Sequence, residues 1–121
     1  MILVDSSIWI DHLRRRDERL SALLEGGQVL THVFVIGELA LGSLANRGRF
    51  LQLMDDLPKA SPATDEEVRV FIEVHALAGT GIGYADAHLL VAARLNGVKV
   101  WTRDKRLAAV AEKLRLAAKH Q

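Results

Sequence analysis

The sequence predicts an α/β fold in which a short parallel sheet is covered by helices on both faces. Three short apolar runs have the composition of buried strands, and they lie at residues 1–5, 29–30 and 98–102. Helical patterns separate these runs, an order that favours parallel strands joined by crossover helices. The 121 residues contain no linker, repeat or low-complexity segment, so we expect a single domain over residues 1–121.

Two helices are predicted between the first and second strands. Residues 7–13 form a short helix whose apolar side contains Ile8 and Trp9. Residues 17–25 form a second helix, which the glycine pair Gly26 and Gly27 stops.

The middle of the chain is predicted to contain three helices, at residues 31–45, 47–56 and 64–77. Thr31 is the expected N-cap of the first, which is long. The second ends before Pro58, because the residue before a proline disfavours the helical conformation. Thr64 and Glu67 have the spacing of a capping box, which predicts the start of the third.

The remaining elements are a glycine-rich loop, a helix, the third strand and a final helix, at residues 79–83, 84–96, 98–102 and 104–114. Gly97 is the expected C-terminal stop of the helix at residues 84–96, and Asp104 can cap the helix at residues 104–114. The loop lacks the Gly-Lys-Ser/Thr ending of a P-loop, so we predict a simple connection there.

Composition excludes several classes of protein. The chain has no cysteine, which excludes disulfides and thiolate metal sites. It shows no signal peptide pattern and no apolar stretch long enough to span a bilayer, so we expect a cytoplasmic protein. The net charge of +1 does not indicate a class of partner.

Two aspartates occupy equivalent positions at strand ends. Asp5 follows the first strand directly, and Asp104 follows the third after Thr102 and Arg103. Ligands of open α/β sheets bind beyond the carboxyl ends of the strands, so these two acids are predicted to share a site. Each could instead serve only as a helix N-cap, a role in which aspartate is common.

Glu38 is a third acid in a position that calls for explanation. Its neighbours three and four residues away along a helix are all apolar or glycine: Phe34, Val35, Leu41 and Gly42. An ionised carboxylate buried on such a face needs a partner. A metal ion would supply one, and the alternatives are a buried salt bridge or a glutamate at a helix edge in water.

Asp86 is a fourth acid, at the start of a helix that is apolar nearly all round. A carboxylate in the first turn is favoured by the helix dipole, so a purely local role is an alternative to a functional one.

Together the four acids predict a site for a hard divalent cation. Clustered carboxylates repel one another unless a cation neutralises them, and oxygen ligands favour Mg²⁺ or Mn²⁺ over Zn²⁺. Such a site suits hydrolysis of a phosphodiester. Ser6 and Thr102 are candidate supporting hydroxyls, and ordinary strand-end hydroxyls are the alternative.

A group of arginines could contact a polyanion. Arg14, Arg15, Arg16 and Arg19 cluster after the first helix, and Arg103 lies beside Asp104. Arg14, Arg15, Arg16 and Arg103 are therefore candidate contacts to RNA phosphates. The alternative is that the cluster is a solvated helix end.

Four segments of the sequence resemble the motifs of PIN-domain proteins, and more closely those of the VapC toxins of type II toxin–antitoxin pairs. They follow the family's order and spacing over essentially the whole chain: Ile2 to Asp11, Ile36 to Leu39 with Gly42, Asp86 to Arg94, and Val100 to Asp104.

The resemblance implies a three-layer α/β/α sandwich with Asp5, Glu38, Asp86 and Asp104 as the metal-binding acids and Thr102 in support. It implies an endoribonuclease that depends on Mg²⁺ or Mn²⁺ and acts on tRNA or another structured RNA. It also implies a homodimer and a small VapB-like antitoxin. One departure concerns the final strand of the family, because residues 115–118 are poor in β-branched residues and that strand could be short or absent.

Two other functions remain open at this stage. A PIN-like scaffold could bind RNA or protein without catalysis. A phosphotransfer enzyme of the haloacid-dehalogenase or receiver type also has an aspartate after its first strand. The former needs a second aspartate where this chain has Ser7, and the latter needs an acid pair and a later lysine that are not evident.

Overall fold

A computed structural model describes residues 1–119 of the chain. Within these residues the sheet has three strands, β1 (Ile2–Val4), β2 (Val29–Leu30) and β3 (Lys99–Trp101). All pairings are parallel and the strand order is β2-β1-β3, so the N-terminal strand is central. The predicted α/β class with a short parallel sheet is confirmed; β2 has its predicted bounds, and β1 and β3 are each shorter by one residue at both ends.

Seven helices accompany the sheet in the described part of the chain: α1 (Ser6–Arg14), α2 (Glu18–Glu25), α3 (Val33–Ala40), α4 (Arg47–Asp56), α5 (Asp65–Val74), α6 (Tyr84–Asn96) and α7 (Lys105–Lys113). Helix α6 is the central one, because residues 87–93 are buried without interruption. It packs against α3, α5 and β3. Within residues 1–119, no helix combines the length and apolar character needed to cross a membrane.

The main core lies between the sheet and the helices. Leu3 and Val4 of β1 are completely buried, as are Ile8 of α1 and Leu90 of α6. Each such side chain contributes roughly 1.5–3 kcal/mol by leaving water. The core therefore holds the ends of β1 and β3, from which two of the predicted acids follow, in a fixed frame.

Several predicted helix ends are confirmed. The Thr64 hydroxyl accepts from the Glu67 N–H at 3.1 Å, and the Glu67 carboxylate accepts from the Thr64 N–H at 2.8 Å, which completes the capping box of α5. Asp104 caps α7 by accepting from the Leu107 N–H at 3.0 Å. Gly97 ends α6 with a φ of +66°, a conformation that glycine adopts without strain.

The predicted start of α3 at Thr31 is wrong by one residue. The N-cap is His32, whose Nδ1 accepts from the Phe34 N–H at 2.9 Å. Thr31 instead pairs through its backbone with the segment around Lys59, since its N–H donates to the Pro58 carbonyl and its own carbonyl accepts from Ala60.

The predicted end of α3 at Ala45 is also wrong, because the helix stops at Ala40. The Arg47 guanidinium donates to the Ala40 carbonyl at 2.7 Å, which satisfies one of the last carbonyls of the helix. Asn46, at φ 50°, then turns the chain into α4. Helix α5 likewise stops at Val74 rather than near Leu77.

The final strand of the family is reduced here to one bridge between Val100 and Ala117. The Val100 N–H donates to the Leu116 carbonyl at 2.7 Å, and the Ala118 N–H donates to the Val100 carbonyl at 2.8 Å. Arg115, at φ 59°, turns the chain toward the sheet just before this bridge. The expectation of a short or absent edge strand is confirmed for the part of the chain that the structure describes.

Candidate active site

The ends of β1 and β3 bring Asp5 and Thr102 side by side. Val4 pairs with Trp101 in the parallel register, and the next residue on each strand lies beyond the carboxyl edge of the sheet. The Asp5 N–H donates to the Trp101 carbonyl at 2.9 Å, which extends the pairing to the acid itself. Asp5 is buried, with 4% of its surface exposed.

Two hydroxyl groups hold the Asp5 carboxylate. Thr102 Oγ1 and Ser7 Oγ each donate to Asp5 Oδ2 at 2.7 Å, and the Ser7 N–H is 3.4 Å from the same oxygen. Within residues 1–119, all the hydrogen bonds to this side chain therefore involve Oδ2. Its other oxygen, Oδ1, is left to coordinate a cation or to accept from water.

The sequence analysis did not identify Ser7 as a site residue. Ser7 also accepts from the Arg103 N–H at 3.0 Å, so it ties Asp5 to the segment after β3. The sequence feature that could have identified Ser7 is its position two residues after Asp5, the N-cap of α1. At this spacing a serine hydroxyl can donate to the carboxylate of the N-cap residue. Ser6 lies elsewhere, donating to Glu38 Oε1 at 3.3 Å.

The expectation that Glu38 is buried on an apolar face is wrong. The residue is exposed, although its carboxylate loses part of its hydration in the fold. Helix α3 ends at Ala40, so Leu41 and Gly42 lie beyond the helix rather than on the face of Glu38. Leu41 is itself 91% exposed. Glu38 lies at the edge of α3 with Ser6 as its hydrogen-bond donor, and its role as a metal ligand stays a prediction.

Asp86 lies half-buried in the first turn of α6. Its Oδ2 accepts from the Gly83 N–H at 3.0 Å, so the carboxylate also secures the start of its own helix. Asp104 is exposed and caps α7, while its N–H donates to Thr102 Oγ1 at 3.0 Å. The N-cap roles foreseen as alternatives for Asp5 and Asp104 are therefore present, and they coexist with the placement of the acids near one another.

Electrostatic coupling links the four carboxylates. Loss of hydration raises the pKa of Glu38, and the negative charges of Asp5 and Asp86 raise it further, against the opposing hydrogen bond from Ser6. The pKa of Asp86 is raised mainly by loss of hydration and then by the charges of Asp5 and Asp104, against the hydrogen bond from Gly83. The acids thus form a single cluster of mutually repelling charges.

The character of this cluster fits a hydrated hard cation. Within residues 1–119, no three His, Cys, Asp or Glu side chains form a ready-made cage for an ion. Mg²⁺ keeps several waters and is held by one or two carboxylates plus substrate phosphate, so it does not require such a cage. The free oxygen of the buried Asp5 and the raised pKa values of Glu38 and Asp86 are the observations that fit a cation.

The guanidinium of Arg103 is paired with two carboxylates of its own chain. Its guanidinium forms ion pairs with Asp11 of α1, at 2.9 Å, and with Asp17, the N-cap of α2. It also lies 5.5 Å from the centre of the Trp101 ring. Arg14, Arg15 and Arg16 are exposed, and of these Arg16 contacts Glu18 at 3.6 Å and donates to Ser21 Oγ at 3.0 Å.

Comparison with known proteins identifies relatives over nearly the whole chain. The family model described as "PIN domain" matches residues 2–113. Ribonuclease VapC32 of Mycobacterium tuberculosis, found in two strains, is 46% identical over 110 residues, which cover 90% of this chain and 89% of the relative. The expectation of one domain over residues 1–121 stays a prediction.

Solved structures share the fold. The structure of FitAB bound to an IR36 DNA fragment contains a chain that matches with a TM-score of 0.60 and 19% identity, covering 93% of this chain and 91% of its own. The crystal structure of PAE2754 from Pyrobaculum aerophilum matches with a TM-score of 0.57 and 22% identity, covering 95% and 88%. At these identities the likeness concerns the fold alone.

Proposed function

The chain belongs to the PIN-domain family, and we propose that it is a metal-dependent endoribonuclease, the toxin of a VapBC-like toxin–antitoxin pair. Its similarity to a ribonuclease VapC supports RNA as the substrate class and hydrolysis as the reaction. The observation that carries the proposal is the coupling of Asp5, Glu38, Asp86 and Asp104 in one cluster at the carboxyl edge of the sheet.

Mg²⁺ or Mn²⁺ is the cofactor that suits this cluster. Asp5 and Asp104 are proposed as direct ligands, and Glu38 and Asp86 complete the metal shell or orient the attacking water. When bound, the cation supplies polarisation of the phosphoryl oxygen, activation of water and stabilisation of the leaving oxygen.

The residues of this chain prepare the site in distinct ways. Thr102 and Ser7 fix Asp5 in one orientation by donating to Oδ2, which leaves Oδ1 available to a cation. Glu38 is exposed, and the Ser6 hydroxyl donates to its Oε1 oxygen, which holds the carboxylate where it can orient the attacking water.

Partners and location complete the proposal. The exposed Arg14, Arg15 and Arg16 are proposed to contact RNA phosphates, and tRNA is the proposed substrate. A VapB-like antitoxin is the proposed protein partner, and the cytoplasm is the proposed location. We also propose a homodimer, supported by the exposed apolar side chains of Val70 and Val74 on α5. A monomeric mass in solution at micromolar concentration would contradict the homodimer.

The test is cleavage of total tRNA by the purified chain, free of antitoxin, in Mg²⁺ or Mn²⁺. An EDTA control and the variant Asp5→Asn are run beside it. Discrete fragments that disappear in both controls are the expected result.

Other results would favour the alternatives. Absence of cleavage by a folded protein that still binds RNA would favour a PIN-like scaffold without catalysis. Covalent labelling by a phosphoryl donor would indicate an aspartate-based phosphotransfer enzyme.

A further inference from the structure

Arg106 is an exposed arginine beside the acid cluster. It lies in the first turn of α7, two residues after Asp104. Its side chain extends to the glycine-rich loop and rests on Gly81. A Cβ atom placed on Gly81 would lie 2.8 Å from Arg106 Cδ and 3.2 Å from its Nε. A larger residue at position 81 would displace the arginine, and the φ of +85° at Gly81 favours glycine.

This contact joins the two segments of the chain that carry Asp86 and Asp104. Gly81 lies two residues before Gly83, whose N–H binds the Asp86 carboxylate. Two residues of chain span at most about 7 Å, so Gly81 lies within that distance of the donor to Asp86. The side chain thus begins in the helical turn that Asp104 caps and ends on the loop that leads to Asp86.

The guanidinium of Arg106 is unpaired in the part of the chain that the structure describes. Within residues 1–119 its guanidinium forms no hydrogen bond and no ion pair, whereas Arg103 is paired with both Asp11 and Asp17. Arg106 therefore keeps its charge and its hydrogen-bond donors free for a ligand.

An unpaired guanidinium next to a metal-binding acid cluster matches the needs of a phosphodiester substrate. Its planar set of donors can bind two oxygens of one phosphate. The acids repel the RNA backbone, and a fixed positive charge at their edge offsets that repulsion for the nucleotide that enters the site.

We propose that Arg106, seated on Gly81, binds a backbone phosphate of the RNA next to the acid cluster and so positions the strand for cleavage. The inference rests on the proposed ribonuclease function, and it assigns to Arg106 a role distinct from that of the Arg14–Arg16 cluster.

The test is equilibrium binding of the purified full chain to tRNA in EDTA, where no cleavage occurs, over a series of salt concentrations. We expect Arg106→Gln to weaken binding about tenfold, the effect of losing one charged hydrogen-bonding group. The slope of log affinity against log salt should fall in magnitude by about 0.7–0.9, the value for one phosphate contact. Arg106→Lys should keep the slope because it keeps the charge.

Lys113→Gln is the matched control. Lys113 is exposed on the same helix, seven residues further on and thus about 10 Å along the axis, and its loss changes the net charge equally. We expect it to leave the slope unchanged. In Mg²⁺, Arg106→Gln should raise KM with a small effect on kcat, as expected when a binding contact is lost.

A slope for Arg106→Gln equal to that of the wild type would overturn the inference. If the wild type still cleaves tRNA, the proposed function survives that result. If instead the slope falls as expected but the wild type cleaves no RNA, Arg106 remains a phosphate contact and the catalytic proposal fails. A wild type that binds no RNA overturns both.

Discussion

Thr102 Oγ1 donates a 2.7 Å hydrogen bond to Oδ2 of the buried Asp5, across 97 positions of sequence. The same hydroxyl accepts from the Asp104 N–H at 3.0 Å. One side chain at the end of β3 therefore sets the positions of two of the four acids. Because neither bond depends on a bound ion, the arrangement is built into the folded chain.

Thr102→Val tests this relationship, since valine keeps the shape and removes the hydroxyl. We expect the affinity for Mg²⁺ or Mn²⁺ to fall about 10–100-fold, the usual effect of losing a group that orients a ligand. The free energy of unfolding should fall by about 1–3 kcal/mol, because the Asp104 N–H and Asp5 Oδ2 lose a partner. Calorimetric titration of the metal and chemical denaturation in EDTA measure the two effects.

Thr80→Val is the matched control for that prediction. The Thr80 hydroxyl donates to the Leu77 carbonyl at 2.7 Å, and within residues 1–119 it forms no hydrogen bond with any of the four acids. Its loss should cost about 0.5–1.5 kcal/mol of stability and leave metal affinity unchanged. Equal metal affinity in the two variants would show that Thr102 does not orient Asp5 for a cation.

Arg103→Gln should destabilise the chain, because Arg103 joins Asp11 of α1 to Asp17 at the start of α2. The Arg103 guanidinium lowers the pKa of Asp17, mainly through their hydrogen bond. We expect a loss of about 1–2 kcal/mol at neutral pH, because the pairs are only partly shielded from water. The exposed Arg14 provides the control, and Arg14→Gln should change stability by less than about 0.5 kcal/mol.

The pH dependence of the Arg103 effect has a definite sign. A carboxyl whose pKa is lowered by folding stabilises the fold above its ordinary value of 3.8 and loses that contribution as the pH falls further. The difference between wild type and Arg103→Gln should therefore be constant near neutral pH and shrink below pH 3.8. A difference that disappears well above that pH would mean that Asp17 is not the partner that matters.

Sequence analysis predicted the positions of residues that are set by neighbours close to them in the sequence. Asp5 follows β1 directly and Asp104 follows β3 after two residues, so the direction of the sheet was enough to predict that both lie at one edge. The capping box of Thr64 and Glu67 and the stop at Gly97 were predictable for the same reason, because each lies within one helical turn.

The features that sequence analysis missed depend on tertiary contacts. Whether Glu38 is buried depends on where α3 ends, and that end is fixed by Arg47, which contacts the Ala40 carbonyl from the next helix. Thr31 pairs with a distant segment, so the cap role passes to His32. The role of Ser7 depends on the approach of β3, which no local pattern shows.

Glu38→Gln should stabilise the chain in EDTA at neutral pH. The pKa of Glu38 is raised in the folded state, so its ionisation opposes folding above the ordinary value of 4.5, and the neutral amide avoids that cost. We expect a gain of less than about 1 kcal/mol, because the side chain is exposed and water screens its charge. The gain should shrink toward zero as the pH falls below 4.5, where the carboxyl is protonated in both the folded and the unfolded chain.

In added Mg²⁺ the wild type should be more stable than Glu38→Gln, because the cation binds the four acids of the wild type and stabilises its folded state. Glu66→Gln is a control of opposite sign, because Glu66 is exposed in the first turn of α5, where the helix dipole favours its charge. A Glu38→Gln protein that is less stable than the wild type in EDTA at neutral pH would contradict the coupling of Glu38 to Asp5.

His32 should control the acid stability of the fold. It is completely buried, and desolvation, with a smaller effect of His88, lowers its pKa from 6.5 to about 4. The imidazole is therefore protonated near pH 6.5 in the unfolded chain but only near pH 4 in the folded chain. The free energy of unfolding is highest above pH 6.5 and falls as the pH decreases from 6.5 to 4. The loss amounts to about 3 kcal/mol, which exceeds the opposite effect of Glu38.

The variant His32→Asn removes this titration and retains a cap, because asparagine can accept from the Phe34 N–H as His32 Nδ1 does. It should be less stable at pH 7, since the smaller side chain leaves a cavity, but its stability should change far less between pH 6.5 and 4. Denaturation curves across this pH range measure the change in the free energy of unfolding. His75→Asn is the control, because His75 lies outside the buried pair of His32 and His88. Equal loss of stability in His32→Asn and wild type would assign the acid sensitivity to another group.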